Sequence, residues 1–222
     1  MKYISLICLS FIFITSCKQL ENTIESYASQ EVSLKRSVPT TLYVGVEHEL
    51  LLENGNGDEF TIQNNSSSTA GVNIIDATGT PYRVSPTRPG ELIFDIMNSD
   101  DELVGSFQFQ VKRIPDPVAR LGNSSGGSVS IGEFRAQGGV GAFLDDFDYD
   151  AICSVTGFEI IYIGRRMDPV SSINAGARFT SDSRRLISQA RPGDIYAFDN
   201  IRARCQGDVS SRRINSLVYF LR

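Results

Sequence analysis

The 222-residue chain has no tryptophan, a single histidine and four cysteines, and from Ile114 to its end it has no lysine. Each scarcity removes a class of chemistry. One imidazole cannot build a zinc site of several histidines, and no Ser, His and Asp set is credible around it. Nor is there a GxSxG, P-loop or dinucleotide fingerprint, so hydrolase and nucleotide readings lose their support. Without tryptophan a carbohydrate platform is weakened, although Tyr or Phe can replace it. Beyond residue 17 no apolar run approaches eighteen residues, so nothing else in the chain is expected to cross a bilayer. The lone His48 reads as a satisfied surface histidine.

Charge is divided unevenly. Lys18 to Arg113 holds 7 basic and 14 acidic residues, whereas Ile114 to Arg222 holds 13 Arg against 12 acidic residues. The acidic first half lacks the footprint that nucleic acid requires, and no nucleic-acid partner is expected. In the second half the arginines come in pairs, Arg165-Arg166, Arg184-Arg185 and Arg212-Arg213. Guanidinium groups grip carboxylates well, so these six are candidate partner-binding residues; solvated loop arginines are the competing reading.

The first seventeen residues contain Lys2, an apolar run from Ile4 to Ile14, then Thr15-Ser16-Cys17. A positive start, a short apolar stretch and small residues before a cysteine form the pattern of a bacterial lipoprotein signal. Eleven helical residues rise only about 16 Å, short of a hydrocarbon core, so a permanent span is disfavoured. Residues 1–16 are thus expected to be cleaved, Cys17 to be lipidated, and 17–37 to tether the anchor to the folded part. Cys153 and Cys205 remain, either as a disulfide in an oxidising compartment or as two buried thiols.

From residue 38 the apolar residues recur in short β-rich runs, among them Leu42 to Val46, Leu92 to Ile96 and Phe107 to Val111, separated by Gly, Asn, Asp and Pro. This spacing marks a sandwich or barrel. Lys112-Arg113-Ile114-Pro115-Asp116-Pro117 breaks the pattern, because two prolines remove ladder donors and hold the chain extended. It reads as a stiff interdomain linker between domains at 38–113 and 114–222. The second half resumes with strands, including Phe134 to Gln137, Ile152 to Thr156, Phe158 to Ile163, Ile195 to Phe198 and Ile201 to Arg204. One helix follows Ser181 or Asp182 as its cap and stops at Pro192-Gly193. In Asp145-Asp146-Phe147-Asp148-Tyr149-Asp150 the EF-hand positions that need Gly and Glu hold Ala151 and Gly157, so a solvated strand edge with Phe147 and Tyr149 inward is expected, and no metal.

Several segments resemble the C-terminal periplasmic domains of the GldM family of gliding-motility and type IX secretion components. The most specific is Val111-Lys112-Arg113-Ile114-Pro115-Asp116-Pro117-Val118-Ala119, followed by Ala136-Gln137-Gly138-Gly139, Arg178-Phe179-Thr180 and Arg191-Pro192-Gly193-Asp194-Ile195 in family order; Thr41 to Val46 is similar to the first strand of the preceding domain. Glu47-His48-Glu49 departs from the Asn-Pro usual there. A lipid anchor stands where the family has a membrane helix and shaft, so the motor-coupled role is not implied.

The expectation is therefore an all-β chain of two tandem immunoglobulin-like β-sandwich domains, with one short helix in the second. It has no cofactor and no catalytic residue, and it acts as a binding or scaffold module of the cell envelope. The anchor places it at the outer membrane, facing the periplasm. The resemblance implies partners in the gliding or secretion machinery and a homodimer. A surface adhesin or glycan-binding lipoprotein is the alternative.

Overall fold

The computed structural model describes residues 33–34, 40–53, 59–78 and 81–222. The signal segment, Cys17 and most of the tether lie outside the described residues. Nine strands build the first half: β1 (Ser33–Leu34), β2 (Thr41–Tyr43), β3 (His48–Leu50), β4 (Leu52–Glu53), β5 (Thr61–Asn64), β6 (Gly71–Asp76), β7 (Tyr82–Arg88), β8 (Gly90–Met97) and β9 (Leu103–Lys112). One sheet runs β2-β9-β8-β5, with β2 parallel to β9, and a second runs β3-β7-β6. Ser33–Leu34, within the segment read as tether, pairs with Leu52–Glu53.

Alternation explains the packing. Leu92, Phe94 and Ile96 of β8 are buried while the residues between them are not, and they meet Phe109 and Val111 of β9 together with Tyr82 and Val84 of β7. Phe94 packs edge-on against Phe109, and the Tyr82 hydroxyl donates to the Phe60 carbonyl at 2.8 Å. Strand β7 has no apolar run, because Pro86 interrupts it. Its buried positions are nonetheless Tyr82, Val84 and Pro86, and the register slips between Gly71 and Val72, opposite the proline that cannot donate.

The second half contains β10 (Val118–Leu121), β11 (Gly127–Val129), α1 (Ile131–Ala136), β12 (Val140–Phe143), β13 (Cys153–Ile163), β14 (Val170–Ala175), α2 (Ser181–Ser188), β15 (Ile195–Cys205), β16 (Arg212–Arg213) and β17 (Leu217–Leu221). Its main sheet runs β11-β17-β15-β13-β14, with β16 on β15. Across one face lie the β10-β12 pair and both helices. Phe134 of α1 sits 4.7 Å from Tyr196 and 5.8 Å from Tyr219, and the Tyr196 hydroxyl donates to the Leu186 carbonyl of α2 at 2.7 Å. The architecture is all-β, a tandem pair of sandwiches with separate apolar cores. Among the described residues no helix is long and apolar enough to cross a membrane.

Several sequence expectations are corrected here. Phe134 to Gln137 is not a strand: it lies in and just after α1, so the second sandwich has two helices rather than one. The reason is an N-cap, in which Ser130 Oγ accepts from the Glu133 N–H at 3.2 Å. Helix α2 is capped by Thr180, not by Ser181 or Asp182, since the Thr180 side chain accepts from the Ser183 N–H. The two short strands expected on each side of Gly157 form one continuous strand, as do the two around Asn200. A bulge at Gly157 and a left-handed Asn200 (φ 50°) make each apparent break. Because Ser130 supplies the side-chain N-cap of a six-residue helix, Ser130→Ala is expected to lower stability by about 1 kcal/mol and the melting temperature by about 2–4 °C, read by circular dichroism.

Candidate functional site

The linker does not hang between the sandwiches. Lys112, counted with the linker from the sequence, ends β9, and the five residues from Arg113 to Pro117 are gripped from both sides. The Ile114 side chain is buried in a small apolar cluster of its own, with Val46 and Tyr43 from the first sandwich and Cys205, Cys153, Leu144, Phe147 and Tyr149 from the second. Arg212 on β16 reaches back to the linker, where Nη1 donates to the Ile114 carbonyl and to Asp116 Oδ1, both at 2.8 Å. Its Nε donates to Asp208 Oδ2 at 3.1 Å, and Arg113 Nη2 donates to Asp208 Oδ1 at 2.9 Å.

Asp208 is thus the knot. It sits in the turn after β15, its side chain only 3% exposed, and its carboxylate also accepts the Cys205 N–H at 2.9 Å. Burial alone would push this carboxyl up, but the Cys205 N–H and the two guanidinium groups outweigh burial and hold it below the usual range. Backbone meets backbone beside it. A Cβ on Gly45 would lie 2.6 Å from the Gly207 nitrogen, and one on Gly207 would lie 2.7 Å from the Val44 carbonyl oxygen. Both glycines have positive φ, 79° and 76°, so each is needed for space and for conformation.

An aromatic cluster closes the other side. Tyr43 lies 4.8 Å from Phe147 and 5.4 Å from Tyr149, and His48 lies 5.0 Å from Tyr149, all ring centroid to centroid. His48 is therefore not a surface histidine. It is 3% exposed because its Nε2 accepts the Tyr43 N–H at 2.8 Å, closing the corner between β2 and β3 and turning the ring toward the second sandwich. Burial lowers its pKa from the ordinary 6.5. The acidic segment is a loop rather than a strand edge, with Asp146 at φ 53°. Alternation survives within it: Phe147 and Tyr149 turn inward, but onto the other sandwich, while Asp146, Asp148 and Asp150 face solvent. Among the described residues no group of three His, Cys, Asp or Glu could hold a metal ion.

Cys153 and Cys205, directly opposite on β13 and β15, are joined by a disulfide at the edge of this cluster. Closing a 52-residue separation corresponds to about 4 kcal/mol in the chain-entropy view. The six candidate arginines do not form one surface. Arg212 is consumed by the joint, and Arg213 pairs with Asp199 at 2.9 Å. The Ser216 hydroxyl, the Asn200 N–H and Arg213 bring Asp199 down to about 2. Arg185 makes an exposed pair with Asp182, whereas Arg165 and Arg166 stand exposed in the β13-β14 turn and Arg184 is exposed on α2. The alternation that turned Phe147 and Tyr149 inward did not say that they face the other sandwich, and Asp208 carried no local signal. The nearest thing to one was a glycine-aspartate turn directly after an apolar strand.

Two outcomes follow from this joint. Asp208→Ala leaves the largely buried Arg212 with the exposed Asp116 as its remaining carboxylate and the buried Cys205 N–H without its acceptor, and is expected to destabilise by about 3 kcal/mol in urea unfolding, whereas Arg113→Ala, at a half-exposed group, is expected to lose under about 1 kcal/mol. As pH falls below 6.5, the unfolded chain takes up a proton that folded His48 resists, so stability declines with falling pH. Melting temperatures recorded from about pH 7.5 down to about pH 5 are expected to drop, and His48→Gln, which keeps an acceptor but takes no proton, is expected to flatten that slope.

No curated protein matches the chain. Among solved structures it is similar to the fibronectin(III)-like modules of Clostridium thermocellum CbhA (13% identity, 86% of this chain and 94% of that one, TM-score 0.28). It is also similar to three N-terminal domains of the bacteriophage RB49 Hoc capsid protein (10%, 87% and 69%, TM-score 0.28). A third similarity is to the titin domains Z1Z2 in complex with telethonin (10%, 88% and 98%, TM-score 0.26). Scores this low leave the fold to rest on the chain's own strand pairing. The family match is of another order, since it spans residues 115–221, a range that contains β10 to β17. The second sandwich, entered through Pro115 and Pro117, matches the GldM C-terminal domain family.

Proposed function

We propose that this chain is a lipid-anchored, non-catalytic binding and scaffold module of the bacterial envelope that serves gliding motility or type IX protein secretion. The observation that carries the reading is the match of the second sandwich to the GldM C-terminal domain. In this reading residues 38–113 and 114–222 are the two domains, Cys17 carries the acyl chains, and the folded part faces the periplasm from the outer membrane. The Cys153–Cys205 disulfide suits an oxidising compartment. A non-catalytic role is supported by how the reactive groups are used: the one imidazole has its acceptor nitrogen occupied at the joint, and the two described cysteines are tied to each other.

Mechanism is then surface recognition by a stiff arm. The first sandwich extends the second from the membrane, and the joint fixes the direction in which the second points. Of the six candidate arginines, Arg165, Arg166 and Arg184 remain without an ion pair among the described residues and are available to a partner. A functional tagged chain, cross-linked in cells and purified from detergent-solubilised envelopes, is expected to bring down gliding or secretion components. Palmitate labelling is expected on the unaltered chain and to disappear in Cys17→Ala; recovery of no such component would overturn the functional reading.

A further inference from the structure

The corner where α1 approaches α2 is concave. Arg135, in the last turn of α1, and Arg184, in the first half of α2, line one cavity of about 380 Å³, at the lower end of the usual ligand range. Its floor is apolar, formed by Phe179 and Ile187, which are 5% and 4% exposed. Gln137 and Gly138, where the chain leaves α1, complete the rim, and none of the lining residues is acidic. Arg135 is held in place, since its Nη2 donates to the Ala190 carbonyl at 2.7 Å. The Arg184 side chain makes no hydrogen bond or ion pair among the described residues, because the nearby Asp182 is engaged by Arg185.

Two guanidinium groups on one concavity repel each other, and among the described residues no carboxylate pairs with either of them. An anion would, and a planar carboxylate fits the fork of an arginine with two parallel hydrogen bonds. The apolar floor adds a second requirement. Charge and apolar body must enter together, within a cavity of roughly single-residue scale. Aspartate and glutamate side chains carry the charge but no apolar body, and inorganic phosphate carries none either. In a polypeptide, only the C-terminal residue joins a main-chain carboxylate and an apolar side chain at one carbon.

We infer that this cavity between α1 and α2 binds the C-terminal carboxylate of a partner polypeptide whose last residue is apolar. Arg135 and Arg184 take the carboxylate, and Phe179 and Ile187 take the side chain. This names the chemistry of the partner contact and rests on the reading that the second sandwich is a binding element.

The test is a titration of the full chain, followed in ¹H–¹⁵N spectra, with N-acetyl-Ala-Leu bearing a free carboxylate. Its C-terminal amide, N-acetyl-Ala-Glu amide and inorganic phosphate serve as separate arms. The free acid is expected to shift the amides of Gly138, Phe179 and Arg184 with millimolar affinity, and the amide, the glutamate peptide and phosphate to bind at least about tenfold more weakly. Arg184→Gln, at an exposed position that leaves the fold intact, is expected to weaken the free acid by a similar factor. Equal binding of acid and amide, phosphate reproducing the shifts, or no shift with the free acid would each overturn the assignment. So would an Arg184→Gln chain that recovers envelope partners as well as the unaltered one, and that result would leave the proposed function standing.

Discussion

One buried carboxylate decides how this molecule is put together. Asp208 receives Arg113 from the end of the first sandwich, Arg212 from the second, and the backbone of its own turn, while Arg212 also grips the linker carbonyl and Asp116. Surface ion pairs contribute little on their own. Here the acceptor is almost wholly withdrawn from water and every one of its partners is a donor, so the contact specifies an orientation as well as a distance. The glycine contact between Gly45 and Gly207 and the edge-on contact of Tyr43 with Phe147 depend on that orientation, because both span the two sandwiches at close range.

Much of the fold was legible in single strands. The strictly alternating Phe107 to Val111 and the apolar run Leu92 to Ile96 both lie inside observed strands. The failures share a cause, namely local features that override a run-based reading. Pro86 hid β7, although its alternation was intact. Gly157 and Asn200 looked like chain breaks and are bulges inside two eleven-residue strands. Around α1 only one residue, Phe134, is buried, so no helical periodicity could show; the Ser130 to Glu133 capping pair was the sole signal.

The joint was half legible. Ile114-Pro115-Asp116-Pro117 announced a stiff crossing, and the chain does leave β9 and enter β10 there. Stiffness was ascribed to the prolines, and the linker is also held by Arg212, some hundred residues further on. No local pattern encodes such a contact. Arg212 and Arg213 looked alike in sequence, yet one is folded into the joint and the other is held on the sheet by Asp199. His48 lies in the segment that departs from the pattern of the resembling family, and its burial depends on Tyr149, which the chain supplies only after the linker.

Five residues separate β9 from β10, and fully extended they would reach no more than about 18 Å. With both ends clasped, little slack is left to absorb displacement. Two sandwiches so joined behave as a lever and not as beads on a string: a push at the rim beside α1 and α2 is delivered as torque to the β2-β3 corner instead of being lost in a swivel.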